Sequence, residues 1–292
     1  MDAIIQAGTS GLLMGGIYSL IAIGLSLVFG VMRIINFAHG EFLMIGMYLS
    51  YWLITLLGLD PYLAALIVTP VLFGIGYLFQ KGPLNTMLVR EKSREPLSIL
   101  LFTAGLSLAL QNVALIAFGA DARAGNTDYT GTTFDVHDVI ISTPRFYAFA
   151  ISIVCTLYVF WLLNKTEIGR AIRATSQDRN TAKLMGINEK KIYCIAFGLG
   201  SALVGISGAL LVPFYYVFPT VGGVFGLRSF IIVVLGGIGS IKGAFLGGIL
   251  IGLVEALGTQ FISPAYAEIL VFMMFVAVLL FKPAGLFGLE KS

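Results

Sequence analysis

Six runs without a charged residue, 3–32, 42–59, 61–80, 96–120, 146–164 and 192–227, constrain this chain more than anything else in it. Several exceed the roughly 20 apolar residues needed to cross a hydrocarbon core. In lipid every backbone N–H and C=O must be satisfied within the protein, which leaves helices or a closed barrel. Barrel strands would show period-two alternation, and these runs do not. Composition agrees: 58% of residues are hydrophobic and 11% charged, against roughly one-quarter charged in a soluble domain. The expected fold is all-α and polytopic, one transmembrane domain over 1–292.

Net charge is +3, but the positive residues gather in membrane-flanking loops, so nucleic acid is not an expected partner; membrane lipid is. No basic residue precedes Arg33, so the positive region of a secretory signal is missing and the first span is expected to be retained. Cys155 and Cys194 lie inside hydrophobic runs without metal-ligand spacing and read as small core residues.

Lys and Arg accumulate in cytoplasmic loops, which sorts the connections. Segment 81–95 holds Lys81, Arg90, Lys92 and Arg94. Segment 165–191 holds Lys165, Arg170, Arg173, Arg179, Lys183, Lys190 and Lys191. Both are expected inside. Segment 119–145 carries Asp121, Asp128, Asp135 and Asp138 against Arg123 and Arg145, and is expected outside. Its β-branched portion, 130–143, suits a small hairpin. Parity then gives an external N-terminus and spans at 34–58, 61–80, 97–118, 146–164 and 192–212. Segment 228–241 is short or broken, whereas 243–260 and 264–281 are full length. If the short segment crosses there are nine spans and a cytoplasmic C-terminus; if it is re-entrant there are eight. The charge rule favours nine.

Glycines recur at small-residue spacing: Gly11, Gly15, Gly16, Gly24 and Gly30 in the first span, and Gly243/Gly247 with Gly248/Gly252 near the end. Such faces allow helices in lipid to pack closely. The cluster Gly236, Gly237 and Gly239 is denser. Unwound backbone there is tolerable only against protein or water, and a helix restarting after it would direct a positive end at a cavity.

Asn36-Phe-Ala-His-Gly-Glu41 is the densest polar cluster near a span. It reads either as an interfacial cap and turn, with Asn36 capping a helix and Glu41 in its first turn, or as a pathway or gate lined by Asn36, His39 and Glu41. Glu255 falls within 243–260, where snorkelling to the outer interface is the simpler reading and a pathway role the sharper one. Arg228, Lys242 and Glu268 read as markers of span ends. Gly237-Ile-Gly-Ser-Ile-Lys-Gly243 lacks the Gly-Lys-Ser/Thr of a phosphate loop, so ATP is not expected on this chain. Gly205-Ile-Ser-Gly208 superficially matches an intramembrane serine protease, but a serine nucleophile needs a base in reach. His39 and His137 are the only histidines, and Ser207 reads as a packing residue bonded back to its own helix.

With the spans placed, four stretches become recognisable: Gly11-Leu-Leu-Met-Gly-Gly-Ile-Tyr-Ser-Leu20, Asn36-Phe-Ala-His-Gly40, Gly169-Arg-Ala-Ile-Arg-Ala174 with Gly186-Ile-Asn188, and Val234-Leu-Gly-Gly-Ile-Gly-Ser240. In this order and spacing the chain resembles the LivH-type permeases of branched-chain amino acid ABC importers over essentially its full length. Position 41 carries Glu where branched-chain members often carry Asp. Permeases for urea and short amides share much of the pattern.

The resemblance implies an ABC importer permease fold of eight to nine helices in a bacterial inner membrane. It implies four partners: a second, related permease, two cytoplasmic ATPases that bind the ATP, and an external substrate-binding protein. It makes 166–188 a coupling segment docking on an ATPase, with Gly169, Arg170, Arg173, Ala174, Ala182, Gly186 and Ile187 as its residues. Arg170 and Arg173 share a helical face, and alanines permit close approach. Tyr18 joins the candidate gate or pathway residues. A passive channel, needing no ATPase, and an intramembrane hydrolase using Ser207 are the alternatives from other classes.

Overall fold

The computed structural model describes residues 2–90, 97–125, 127, 129–136 and 139–288. Lys92, Arg94, Asp128, His137 and Asp138, which entered the charge and histidine arguments, lie outside the described residues. The chain is a helical bundle: α1 Asp2–Met32, α2 His39–Leu57, α3 Pro61–Phe79, α4 Asn85–Arg90, α5 Leu97–Phe118, α6 Thr143–Lys165, α7 Glu167–Gln177, α8 Arg179–Leu184, α9 Glu189–Leu211, α10 Val221–Gly236, α11 Ile241–Phe261 and α12 Pro264–Phe281. A π-helical turn, Gln80–Leu84, joins α3 to α4. It contains Pro83, whose missing N–H a wider turn accommodates. The hairpin expected between 130 and 143 forms from β1 Thr133–Val136 and β2 Val139–Ser142, antiparallel, with Thr133 opposite Ser142.

Eight helices among the described residues are long and apolar enough to cross a membrane. The ninth, α10, has 16 residues, roughly 24 Å at the helical rise. Contacts at the two ends of the bundle decide what it does. At one end Gln6 bonds Ile140 of the hairpin in both directions, at 2.7 and 2.9 Å. At the same end Arg123 pairs with Val217, between α9 and α10. At the opposite end Arg179 donates to Met32 O at 3.5 Å, Gly30 faces Gly239, and the tail bonds α10 through Leu286 N to Leu235 O at 2.8 Å. Residues 212–220 and α10 together therefore carry the chain from the hairpin end back to the loop end. This passage begins at 212, not at 228: a charged side chain need not end a span when it has a partner inside the bundle.

The centre of the bundle is α1 and α9, with α2, α3 and α11 packed around them. The α1–α11 contact is nearly backbone to backbone. A Cβ on Gly15 would lie 2.8 Å from Ile249 Cα, and one on Gly252 would lie 2.5 Å from Gly15 Cα. Ser19, in the same seam, donates to Phe245 O at 2.7 Å. Dispersion at this closeness supplies the helix association that apolar burial cannot supply in lipid.

Candidate functional site

The chain leaves α1 at Met32 and turns back into the bundle without regular structure. Arg33 takes φ 55, the left-handed region uncommon for a side-chain-bearing residue. By the start of α2 the chain has climbed well back alongside α1: His39 Nε2 lies 3.1 Å from Ile21 O. A bond to a carbonyl assigns the proton to Nε2. Non-helical backbone at this depth must be satisfied by protein. Phe37 N donates to Thr103 Oγ1 at 3.4 Å and Ala38 N to Asn36 Oδ1 at 3.1 Å. Asn36 thus closes a turn and does not cap the helix; Ala38 occupies the cap without a side-chain bond. The reason is spacing, since the turn residues Phe37 and Ala38 separate Asn36 from the first helical residue.

The start of α10 meets the start of α2. Gly40 packs so tightly on the Gly222 carbonyl that neither glycine has room for a Cβ. Beside this contact is a cavity of about 480 Å³, walled by apolar side chains and three glycines of α10, and reached by Asn36, His39 and Glu41. Glu41 is 1% exposed. Its Oε1 accepts from Ser107 Oγ at 2.9 Å and Gln111 Nε2 at 2.7 Å, both on α5. Its Oε2 and Asn36 Nδ2 have no hydrogen-bond partner among the described residues. Ser107 and Gln111 escaped the sequence reading; a lone Gln in a charge-free run was the available signal.

A second ionic cluster lies within the bundle. Arg228 bonds Glu255 at 2.8 Å and Glu268 at 3.5 Å, donates to Tyr18 Oη at 3.0 Å and lies over the Tyr18 ring. Glu255 is therefore paired inside and does not simply snorkel, and Arg228 and Glu268 do more than mark span ends. Arg228 and Glu255 border a cavity of about 380 Å³ near the hairpin end and another of about 230 Å³ beside α12.

Gly236, Gly237 and Gly239 sit elsewhere, at the end of α10 and in the turn that joins it to α11. Gly237 and Gly239 take φ 104 and 81, open to glycine at little penalty. Gly236 packs on Gly243, Gly237 on the tail at Gly288, and Gly239 on Gly30. The α11 N-terminus is met by its own Ser240, whose Oγ accepts from Gly243 N at 3.1 Å.

The 165–191 segment folds into two helices with three caps. Thr166 accepts from Gly169 N at 3.0 Å, Asp178 from Asn180 N at 2.8 Å and Asn188 from Lys191 N at 3.2 Å. The Thr181 hydroxyl, then neighbouring backbone N–H groups, hold the Asp178 carboxyl below its usual range. The cap is thus charged at neutral pH, and its contribution is lost only as pH falls through that lowered value. Arg170 and Arg173 are exposed on α7. A groove of about 540 Å³ runs between α7 and α8, lined by Ala174, Ala182 and Ile187 among others. Gly169 is buried against the end of α6, where a Cβ would strike Leu162 O. Gly186, at φ 82, ends α8. Leu184 and Met185, 87% and 78% exposed, project beside the groove and were missed in the sequence. The loop is tied to α1: Arg33 donates to Ser176 O at 3.4 Å, beside the Arg179 bond to Met32 O.

Ser207 Oγ donates to Leu203 O at 2.7 Å, while His39 bonds α1, so no nucleophile–base pair forms between them. Among the described residues no cluster of His, Cys, Asp or Glu could hold a metal ion.

A bundle of this depth, with two non-helical entries meeting at an apolar chamber edged by a few polar groups and a capped loop tied to its central helix, has the parts of a transport subunit. Residues 9–279 match the family described as branched-chain amino acid transport system / permease component, and the chain belongs to it. It is 33% identical over 300 residues to the high-affinity branched-chain amino acid transport system permease protein BraD of Pseudomonas aeruginosa, covering 97% of this chain and 95% of BraD. To LivH of Escherichia coli, a permease protein of the same description, it is 32% identical over 295 residues, again covering 97% and 95%. LivM of Escherichia coli, named likewise, is 25% identical over 94% of this chain and 68% of LivM. No solved structure matches the chain.

Proposed function

We propose that this chain is a membrane-spanning subunit of an ATP-driven importer that carries branched-chain or similar neutral amino acids across a bacterial inner membrane. The observation that carries the reading is the family match over 9–279, which spans both the chamber and the loop. The near-full-length relatives are branched-chain amino acid permeases, which favours branched-chain amino acids over urea or amides. The N-terminus and hairpin face outward, and the 165–191 loop and the C-terminus face the cytoplasm, as the positive charge of the loop requires. The partners are a second, related permease, for which LivM is the precedent, two ATPases and an external binding protein.

In this reading an ATPase grips the groove between α7 and α8, with Arg170, Arg173, Leu184 and Met185 at the contact. Closure of the ATPases moves α7. The bonds from Ser176 and Arg179 pass that movement to Met32 and Arg33, and so to the segment that sets Asn36, His39 and Glu41 in the chamber wall. Alternating exposure of the chamber follows from rigid-body rocking of packed helices.

The test is gentle purification of the C-terminally tagged chain from native membranes, with mass spectrometry of what accompanies it. Two ATPases and a second permease are the expected companions. Recovery of the chain alone, or as a homo-oligomer, would overturn the importer reading.

A further inference from the structure

The chamber beside Glu41 has an uncommon chemical imbalance. Its walls are mainly apolar, yet two buried polar atoms at its edge, Glu41 Oε2 and Asn36 Nδ2, lack partners. Buried polar groups are normally hydrogen-bonded, and a buried charge is normally paired. The donors to Glu41 Oε1, Ser107 and Gln111, are neutral. No cationic side chain pairs with Glu41 among the described residues, whereas Arg228 and Glu255 compensate each other elsewhere. The unpaired oxygen packs on bare backbone: a Cβ on Gly222 would lie 2.5 Å from Oε2, so only glycine leaves room for the carboxyl there. Two residues with an unpaired polar atom, Glu41 and Asn36, therefore border one apolar-walled cavity of about 480 Å³, within the size range of small-molecule sites.

Resting on the importer reading, we propose that this chamber is a substrate-holding subsite for an aliphatic α-amino acid in transit. The ammonium, a compact cation with three donors, bonds Glu41 Oε2. The α-carboxylate accepts from Asn36 Nδ2, and the side chain lies against Leu108, Leu227 and Phe230. Each unsatisfied group gains its partner only when the zwitterion is present. The site thus prefers amino acids to carboxylates of similar shape that lack the ammonium, because those would leave Glu41 unpaired.

The experiment uses the complete complex in proteoliposomes with its binding protein. Uptake of radiolabelled leucine is measured for wild type, E41Q and E41D, alongside subunit stoichiometry. Photo-leucine is then bound to the wild-type complex and its crosslinks are mapped. The expected result is at least a tenfold loss of uptake in E41Q, partial retention in E41D and photo-leucine adducts on Leu108, Leu227 or Phe230. Wild-type uptake by an assembled E41Q complex, or adducts confined to the Arg228–Glu255 region, would overturn the subsite while leaving the importer intact. If E41Q fails to assemble, the wild-type adduct map decides alone. Absence of ATP-dependent leucine uptake in wild type would overturn both readings.

Discussion

Arg228 sets the residue-scale question, because its guanidinium, half-sheltered in the bundle, is held by Glu255, Glu268 and Tyr18 together. Removing one member of a buried pair strands the other, at about 3–5 kcal/mol when burial is complete. The side chains of Arg228 and Glu255 are 18% and 22% exposed, so a smaller loss, on the order of 1–3 kcal/mol, is expected for Arg228→Ala. Arg228→Ala with Glu255→Ala should unfold in detergent at a higher temperature than Arg228→Ala alone; equal midpoints would show the pair contributes nothing. Gly186 poses a different residue-scale problem. Space around it is open, but its φ of 82 penalises side chains. A β-branched residue there costs on the order of 1–2 kcal/mol or more, while Asn tolerates the left-handed region better. Gly186→Val should lose ATPase co-purification while the permease still inserts, and Gly186→Asn should keep most of it.

At the scale of elements, the seam between α1 and α11 is the most demanding contact. Gly11, Gly15, Gly248 and Gly252 all meet backbone atoms of the opposite helix, with the Ser19 hydroxyl also against Gly248. Overpacking in a core typically costs about 1–3 kcal/mol, and more where backbone cannot yield. Gly252→Val is expected to lower the detergent unfolding midpoint sharply, whereas Gly8→Val, with nothing nearby, should leave it unchanged. Thermal aggregation of the two variants side by side checks this. Three side-chain caps fix the starts of α7, α8 and α9, so the loop presents a shaped surface to the proposed ATPase rather than a slack tether.

For the whole molecule, the consequence of α10 is parity. Contacts at Gly30, Met32 and Leu235 gather the α7–α8 loop, the α10–α11 turn and the tail at one end. The N-terminus and the β1–β2 hairpin gather at the other. In a background lacking Cys155 and Cys194, a cysteine at Thr132 should react with an impermeant thiol reagent from the periplasmic side. Cysteines at Lys183 and at Lys282 should react only after the membrane is opened. Labelling of Lys282→Cys from outside would rule out the nine-crossing arrangement.

The spans, the charged loop and the glycine spacing were legible in the sequence, because each is a local property of composition or period. Charge-free length dictates helices in lipid, and small residues mark where helices approach. The start of α10 at Val221 was not legible. Charge alone put the boundary at Arg228, and only a partner more than 20 residues away, Glu255, permits that charge inside the bundle. Nor could the sequence show that Asn36 closes a turn, that the Gly236–Gly239 cluster is consumed by packing on α11, the tail and α1, or that Ser107 and Gln111 face Glu41. Each depends on which surfaces of distant helices come together, and spacing along one chain carries no record of that. Local physics chose the long helices; tertiary packing decided that α10 crosses, which polar groups were left to find a partner, and so where the chamber lies.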